Sequence, residues 1–507
     1  MLTSCLSGQL TSPRTTGNTL TPSVTCFYRT YIIMFQKFIT VGTVFSVLFV
    51  LIAVYFNSSP ENELNLRLKH VLQGLIDVES KFTSETPKVA VGYGACNDLF
   101  VEGKNFLQYD ESVLAEYHED INTLEELKRV FAFFFRHGAA AEQYVSNSTL
   151  FDELVAIASQ MEGSRYSIGG NAPLMGHRMS IEGCEVLLAA TLTPRLRLSL
   201  PSTLKVVGGV AERDDIHLIL EYKAGDSWGP FTAPRANRFI IHNDDNNPVI
   251  SSLEHFQEAL KTFEADLLVI SGLQMMDNYP FQQGEKLRRL LLVKQQMLSQ
   301  TSQTRIHFEM ASYTETELLE KLMDLIIPHS DSLGMNEQEL ANLVNLYQFG
   351  NVSIVSDSNP RVATVLDQMR QLLRLVRSSS SGKAGRRELT RIHVHTLAYQ
   401  AILTTDSGLW PHSDIAAAKA SLTAYRHVCA TPQVDPDKAK LIMDDSFSVS
   451  RVSGSSDRVV LEPQRPVSCW TEDDLQLCVA PVLVCKESVQ TAGGGDNISA
   501  AALAMQL

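Results

Sequence analysis

At 507 residues and 44% hydrophobic composition, the chain is long enough to bury a sizeable core spread over about two to four domain-sized units. Lys plus Arg number 43 against 57 for Asp plus Glu, a formal charge of −14 that argues against a nucleic-acid footprint and for local basic sites that take small anions. The eight cysteines, Cys5, Cys26, Cys96, Cys184, Cys429, Cys469, Cys478 and Cys485, lack the paired CxxC spacing of a zinc site, so no structural metal is indicated.

Residues 38–56 carry no charge. That run is about enough helix to cross a bilayer, either as a signal anchor or as a signal-peptide core. Arg14, Arg29 and Lys37 precede it and Glu61 and Glu63 follow, so residues 1–37 are expected to form a cytosolic or unstructured tail and the bulk of the chain to lie in the lumen. Met34 is an alternative start. Asn57, Asn147 and Asn351 open Asn-x-Ser/Thr sequons, in keeping with a secretory-pathway address.

Within a juxtamembrane segment, 57–86, the stretch Leu64–Phe82 reads as an amphipathic helix with Leu68, Leu72 and Leu75 on one face. Pro87 to Gly94 reads as a first strand ending in a glycine turn, and strand–helix alternation follows, the pattern of a largely parallel α/β domain. Ile216–Tyr222, a turn at Gly225, Gly229 and Pro230, and Arg238–Ile241 read as antiparallel strands set apart from that sheet. Segments between about 95 and 245 are expected to form a smaller β-rich lid. Asp266–Ile270 and Arg305–Glu309 read as buried strands. Thr314 to Glu317 matches a capping box opening a helix to Pro328, and Ser378–Arg387 reads as a polar loop between helices. Near the end, the apolar run Pro481–Cys485 reads as a strand, Gly493, Gly494 and Gly495 as a loop, and Ile498–Leu507 as a helix.

Three glycines let backbone approach a ligand closely, and free N–H groups at a helix start point at whatever sits there, so this loop can hold a transferring phosphoryl group. Asp496 beside it fits the carboxylate that orients an attacking hydroxyl and takes its proton. A glycine turn with a capping aspartate is the plain alternative. His307 and Glu309 share a strand face. Asn336 and Glu339 fit both an N-cap with its N3 partner and, with Glu309, anchors for a hydrated Mg²⁺. Gly170 and Asn171 lie in a tight turn suited to sugar hydroxyls, as are Asp98 and Glu142; solvated carboxylates are the default for that pair. Arg238 can fork onto a phosphate or stand exposed at a strand end. His393 and His395 share a strand face without a third metal ligand.

Taken together, ten ordered motifs across residues 87–507 resemble the ADP-dependent glucokinases of the ribokinase-like superfamily, in particular their animal, endomembrane-anchored members. They run from Val-Gly-Tyr-Gly-Ala-Cys-Asn-Asp98, Gly-Ala-Ala-Ala-Glu142, Gly-Gly-Asn-Ala172, His217-Leu-Ile-Leu-Glu-Tyr222 and Ala-Pro-Arg-Ala-Asn-Arg-Phe-Ile240 to Ser-Gly-Leu-Gln-Met-Met276, His307-Phe-Glu309, Leu-Gly-Met-Asn-Glu-Gln-Glu339, Arg-Ile-His-Val-His-Thr396 and Thr-Ala-Gly-Gly-Gly-Asp496. The resemblance implies a ribokinase-like, largely parallel sheet flanked by helices, with a β-rich lid. It also implies transfer of the β-phosphoryl of ADP to the 6-hydroxyl of glucose with Mg²⁺, in a monomer addressed to the endoplasmic reticulum.

By position, Asp496 resembles the catalytic base and Gly493, Gly494 and Gly495 the anion hole. Asp98, Glu142, Gly170, Asn171 and His217 resemble the sugar contacts. Arg238, Asn336 and His395 fall at the nucleotide site, and Glu309 and Glu339 match the Mg²⁺-linked carboxylates. The sequence departs from the family at Gly94, where Asn is usual, and at Gly494, where the loop usually reads Val-Gly-Leu-Gly-Asp. Asn497-Ile-Ser499 adds a sequon that is expected to stay bare, and Cys429 and Cys485 are a candidate disulfide. An ATP-dependent kinase of another sugar or nucleoside, and a catalytically silent sugar sensor, remain the rival readings.

Overall fold

The computed structural model describes residues 22–57, 60–83, 86–352, 357, 359–380, 385–405, 407–452 and 457–507. The chain divides into a unit ending at Leu66 and a second unit, Arg67–Leu507. In the first, one helix runs Pro22–Asn57, and its stretch Tyr31–Ala53, of mean hydropathy 1.9, is long and apolar enough to cross a membrane. Residues 22–37 therefore continue a helix instead of forming an unstructured tail, because Tyr31 to Phe35 extend the apolar run upstream of Phe38. Arg14, Cys5 and Ser58 and Ser59 of the first sequon lie outside the described residues, as do Ser353 and 381–384.

The helix Pro60–Glu79 begins earlier than its apolar spacing suggests. Its buried stripe is Leu68, Val71 and Leu75, with Leu72 half-buried beside it, and Glu79 ties the helix end to Lys419 and Arg426 at 3.0 and 2.9 Å. The second unit is built on a ten-stranded sheet. In order across it stand Ser468–Glu472, Leu475–Pro481, Tyr399–Thr404, Arg391–His395, Ser332–Asn336, Arg305–Glu309, Leu267–Ile270, Lys88–Gly92, Glu185–Ala189 and Leu204–Val207. From Arg391–His395 to Leu204–Val207 every neighbour runs parallel, and the remaining strands join antiparallel at one edge. The parallel strands are covered by helices on both faces, so they read as continuous apolar runs: Leu267–Ile270 is buried throughout.

A five-stranded second sheet, in the order Ala141–Tyr144, Asn237–His242, Ile216–Tyr222, Cys96–Glu102 and Arg165–Gly169, has its own aromatic core around Phe131, Phe134, Phe135, Trp228 and Phe239. Ile216–Tyr222 and Asn237–His242 pair antiparallel as expected, with a small hairpin, Ser227–Trp228 and Phe231–Thr232, between them. Asp98 belongs to this sheet, mid-strand in Cys96–Glu102.

Four other expectations need correction. The helix after Arg305–Glu309 runs Thr316–Leu325 without a capping box of its own. Asp277 instead holds the chain just before the helix, its Oδ2 accepting from Thr314 N and Oγ1 at 2.6 and 2.8 Å and its Oδ1 from Glu315 N at 2.9 Å. Ser378–Ser380 finish the helix Val362–Ser380, and the loop beyond leads into a strand, not a helix. The apolar run at 481–485 splits: Leu475–Pro481 enters the main sheet, and Leu483–Cys485 turns away to pair with Ala439–Leu441. The last helix starts at Gly494, not Ile498.

Cys429 and Cys485 form a disulfide across a Cα separation of 5.7 Å. A second, Cys469–Cys478, was not foreseen and joins directly paired residues of one hairpin. Cys96 and Cys184 are buried free thiols.

Candidate active site

The chain order across the parallel strands reverses between Lys88–Gly92 and Leu267–Ile270. Such a switch point opens a crevice at the strands' carboxyl ends. Three glycines let backbones meet there. Gly94 and Gly272 have φ of +80° and +74°, and a Cβ on Gly94 would come 3.3 Å from the Cα of Gly272, while one on Gly170 would collide with the backbone of Gly94 and Ala95. The chain passes here from the first sheet to the second at Gly92–Cys96 and back at Gly169–Asn171. The result is a cleft of about 770 Å³ lined from both sheets, with a size typical of small-molecule sites.

The glycine run forms one end of the cleft. Gly493, at φ +69°, is the N-cap of the helix Gly494–Ala504, so Gly494, Gly495 and Asp496 are its first turn and their N–H groups lack intrahelical partners. The three glycines are not equivalent. A Cβ on Gly493 would strike Leu174, and one on Gly495 would lie 2.9 Å from Nε2 of His395, whereas one on Gly494 would find its nearest atom at an ordinary 3.7 Å. The unusual glycine is therefore the one position with room for a side chain, which agrees with the Leu usual there in the family the sequence resembles.

Asp496 Oδ1 accepts from Asn171 Nδ2 at 2.9 Å, and Asn171 opens the helix Asn171–Ile181 behind Gly170. A polar chain continues from it. Gln274 Nε2 donates to Asn171 Oδ1 at 2.7 Å and faces Glu142 Oε2 at 3.4 Å; Glu142 Oε1 lies 3.2 Å from His217 Nδ1, whose ring reaches Asp244 on its far side. Asp98 adjoins this chain and accepts from Cys96 Sγ at 3.1 Å.

The opposite wall carries more carboxylates. Glu309 Oε2 lies 2.8 Å from His307 Nε2. Asn336 caps the helix Glu337–Phe349 and Glu339 completes a capping box, its Oε2 accepting from Asn336 N at 2.9 Å. Burial raises all of these groups: Asp98 and Asp496 to about 6, Glu339 to about 7 and Glu309 well above the carboxylate range, with repulsion from Asp496 adding to Glu309 and Glu339. Glu142 goes the other way. Burial pushes it up, but the His217 hydrogen bond and charge outweigh that and hold it low.

Two groups suit an anion. Arg238 is half-buried in the wall, not exposed at a strand end, and its Nε–H is buried without a partner. His395 likewise has an unpartnered, buried Nδ1, and burial lowers the ring to about 4, keeping it neutral. Of the residues singled out in the sequence, Asp98, Glu142, Gly170, Asn171, His217, Arg238, Glu309, Asn336, Glu339, His395, Gly493, Gly495 and Asp496 all line this one cleft, and Gly494 does not. Asp98 and Glu142 are thus walls of a site and not solvated surface groups. His393 is turned away and pairs with Gln400 at 3.1 Å.

Sequence reasoning missed Gln274, Asp244 and Arg391. Gln274 sits in a quoted motif, but nothing in Ser-Gly-Leu-Gln-Met-Met276 marks one amide as a bridge. Arg391 is fully buried beneath Glu309, held by Gln506 Oε1 at 2.7 Å and Ser332 Oγ at 3.1 Å, and burial lowers it to about 9.

Comparison with known proteins identifies the family. A family profile described as the ADP-specific Phosphofructokinase/Glucokinase conserved region matches residues 87–505. The ADP-dependent glucokinase of Bos taurus is 35% identical over 422 residues, 82% of this chain and 84% of that protein. The probable ADP-dependent glucokinase of Caenorhabditis elegans is 30% identical over 430 residues, with the same shares covered. Among solved structures, an ADP-dependent kinase in complex with fructose-6-phosphate and ADPbetaS matches at a TM-score of 0.60 and 18% identity, over 86% of this chain and 97% of that one, a likeness that concerns the fold alone. The architecture is ribokinase-like α/β, and the chain belongs to the ADP-specific phosphofructokinase/glucokinase family.

Proposed function

We propose that this protein phosphorylates the 6-hydroxyl of glucose at the expense of the β-phosphoryl of ADP. The observation that carries the reading is the position of Asp496: a carboxylate in the first turn of a helix, beside unpaired backbone N–H groups and hydrogen-bonded to Asn171 of the sugar-side turn. In phosphoryl transfer the protein mainly positions reactants and neutralises charge. Asp496, raised to about 6, accepts the hydroxyl proton, since a base with a pKa near the working pH is effective. The N–H groups of the Gly493–Gly495 turn face the charge that develops on the transferring group. Asp98, Glu142, Gly170 and Asn171 hold sugar hydroxyls, while Arg238, Asn336 and His395 bound the nucleotide side.

Glu309 and Glu339 fit a hydrated Mg²⁺. They are oxygen donors raised first by burial and further by neighbouring carboxylates, Asp496 among them for both, so a cation held by them would relieve what now disfavours their ionisation. When bound, Mg²⁺ supplies charge neutralisation across the diphosphate. We further propose that the helix spanning Tyr31–Ala53 anchors the protein in the endoplasmic reticulum membrane as a monomer with its kinase unit in the lumen, a reading supported by two disulfides.

Product formation from glucose and MgADP, measured beside ATP and beside fructose 6-phosphate, tests the reading; turnover with ATP alone sinks it. The companion measurement is Asp496→Asn, expected to lower kcat by about 10²- to 10⁴-fold while glucose binding persists.

A further inference from the structure

We propose that Asp244 is a positioning residue that sets Glu142 as a fixed acceptor for a sugar hydroxyl by holding the His217 ring between the two carboxylates. This rests on the sugar-kinase reading. Asp244 itself is fully buried and does not line the cleft.

The geometry of His217 is the starting point. Its Nδ1 lies 3.2 Å from Glu142 Oε1 and its Nε2 2.9 Å from Asp244 Oδ2, so both ring nitrogens face carboxylate oxygens. A neutral imidazole has one N–H and one lone pair and would turn the lone pair against a carboxylate; the imidazolium donates to both. Burial opposes that charge, yet Asp244 outweighs it and the proton affinity of His217 stands well above the ordinary value. With both N–H groups engaged by carboxylates, His217 is a support for Glu142 more than a sugar contact in its own right.

Asp244 is itself anchored. Asn247 Nδ2 donates to its Oδ2 at 2.7 Å, His242 Nδ1 lies 3.4 Å from its Oδ1, and Asn247 exchanges two hydrogen bonds with the backbone of Ala95, at 2.9 and 3.1 Å. The support therefore starts at the crossing between the two sheets and ends in the cleft. Its consequence is selective. Asp98, Glu309, Glu339 and Asp496 are raised, whereas Glu142 alone among these wall carboxylates is held low. A permanently ionised oxygen is an acceptor only, which suits a hydroxyl donor and repels an anionic group.

The test uses the full-length, detergent-solubilised protein with Asp244→Asn, His217→Gln and the double variant. Asp244→Asn is expected to raise the KM for glucose by about 10- to 100-fold with little change in the KM for MgADP, and to add nothing further in the His217→Gln background. Loss of kcat without a selective rise in the glucose KM, or additive effects, overturns the proposal. A measurement independent of turnover and of how the variants fold is the ¹⁵N signal of His217 in histidine-labelled wild-type protein, assigned by its loss in His217→Gln. Protons on both ring nitrogens near neutral pH are expected, and a singly protonated ring overturns the proposal. Wild-type protein inactive towards glucose would sink the kinase reading and leave that signal to decide the support.

Discussion

Asp496 and its glycines show how single atoms set the chemistry. A raised carboxylate pKa means that ionisation is disfavoured in the folded chain; the penalty grows as pH rises from the ordinary carboxylate range to about 6 and is complete above it. Asp496→Asn removes that penalty, so the variant is expected to melt no lower than the wild type at neutral pH while losing turnover, a combination that a thermal scan beside an assay detects. The same value fixes the pH dependence. With a base titrating at about 6, kcat should fall about tenfold per pH unit on the acid side and level off above, as a pH–rate profile would show. The glycines differ in kind. Gly494→Ala keeps every N–H and makes only an ordinary contact with His427, so activity should persist with a Tm unchanged or higher, whereas Gly495→Ala drives a methyl into His395 and should raise the KM for ADP. The sequence exposed these residues through the spacing of their motifs. It hid their inequality, which depends on Leu174, His395 and His427, residues brought from far along the chain.

At the scale of elements, periodicity served well where an element caps itself and poorly where a distant residue takes over the segment leading into it. Asn336 and Glu339 form the box their spacing foretold because both lie within four residues of one helix start. Thr314 and Glu317 have equally good spacing, but the Thr314 amide and hydroxyl and the Glu315 amide are taken by Asp277, whose carboxylate comes from the turn after Leu267–Ile270. A local signal cannot reveal such a competitor. Burial raises Asp277 to about 6 despite the bonds it accepts, so ionising it costs the folded chain stability as pH climbs towards that value, and the bonds to Thr314 and Glu315 offset only part of the cost. Asp277→Ala is expected to cost about 1–3 kcal/mol and to lower the Tm by a few degrees, whereas Thr314→Ala, which removes the hydroxyl and methyl but leaves the backbone N–H bonds to Asp277, should cost less than half of that. Differential scanning calorimetry of both variants checks the ranking. The hairpin disulfide was missed for a related reason: register, not spacing, places Cys469 opposite Cys478.

For the whole molecule, strand–helix alternation was enough to announce a largely parallel sheet and a separate β element, since both are written in local apolar patterns. The sheet order was not legible, nor was the convergence of Gly94, Gly170 and Gly272, because these are set by which distant strands meet. The last helix shows what such convergence entails. Asn497, the sequon beside Asp496, is buried; its Nδ2 donates to Gly493 O at 2.9 Å and its Oδ1 accepts from Arg178 Nε at 3.1 Å. The nitrogen a glycan would occupy is thus sealed by the completed fold. If the kinase unit folds in the lumen, as proposed above, sugar transfer there competes with folding and occupancy of Asn497 becomes a record of time. Chains that fold promptly are then expected to leave it bare, and those that linger open to be marked for good. Mass spectrometry of that glycopeptide, comparing wild type with a slowly folding variant such as Asp277→Ala, should find the mark only in molecules that have no kinase activity.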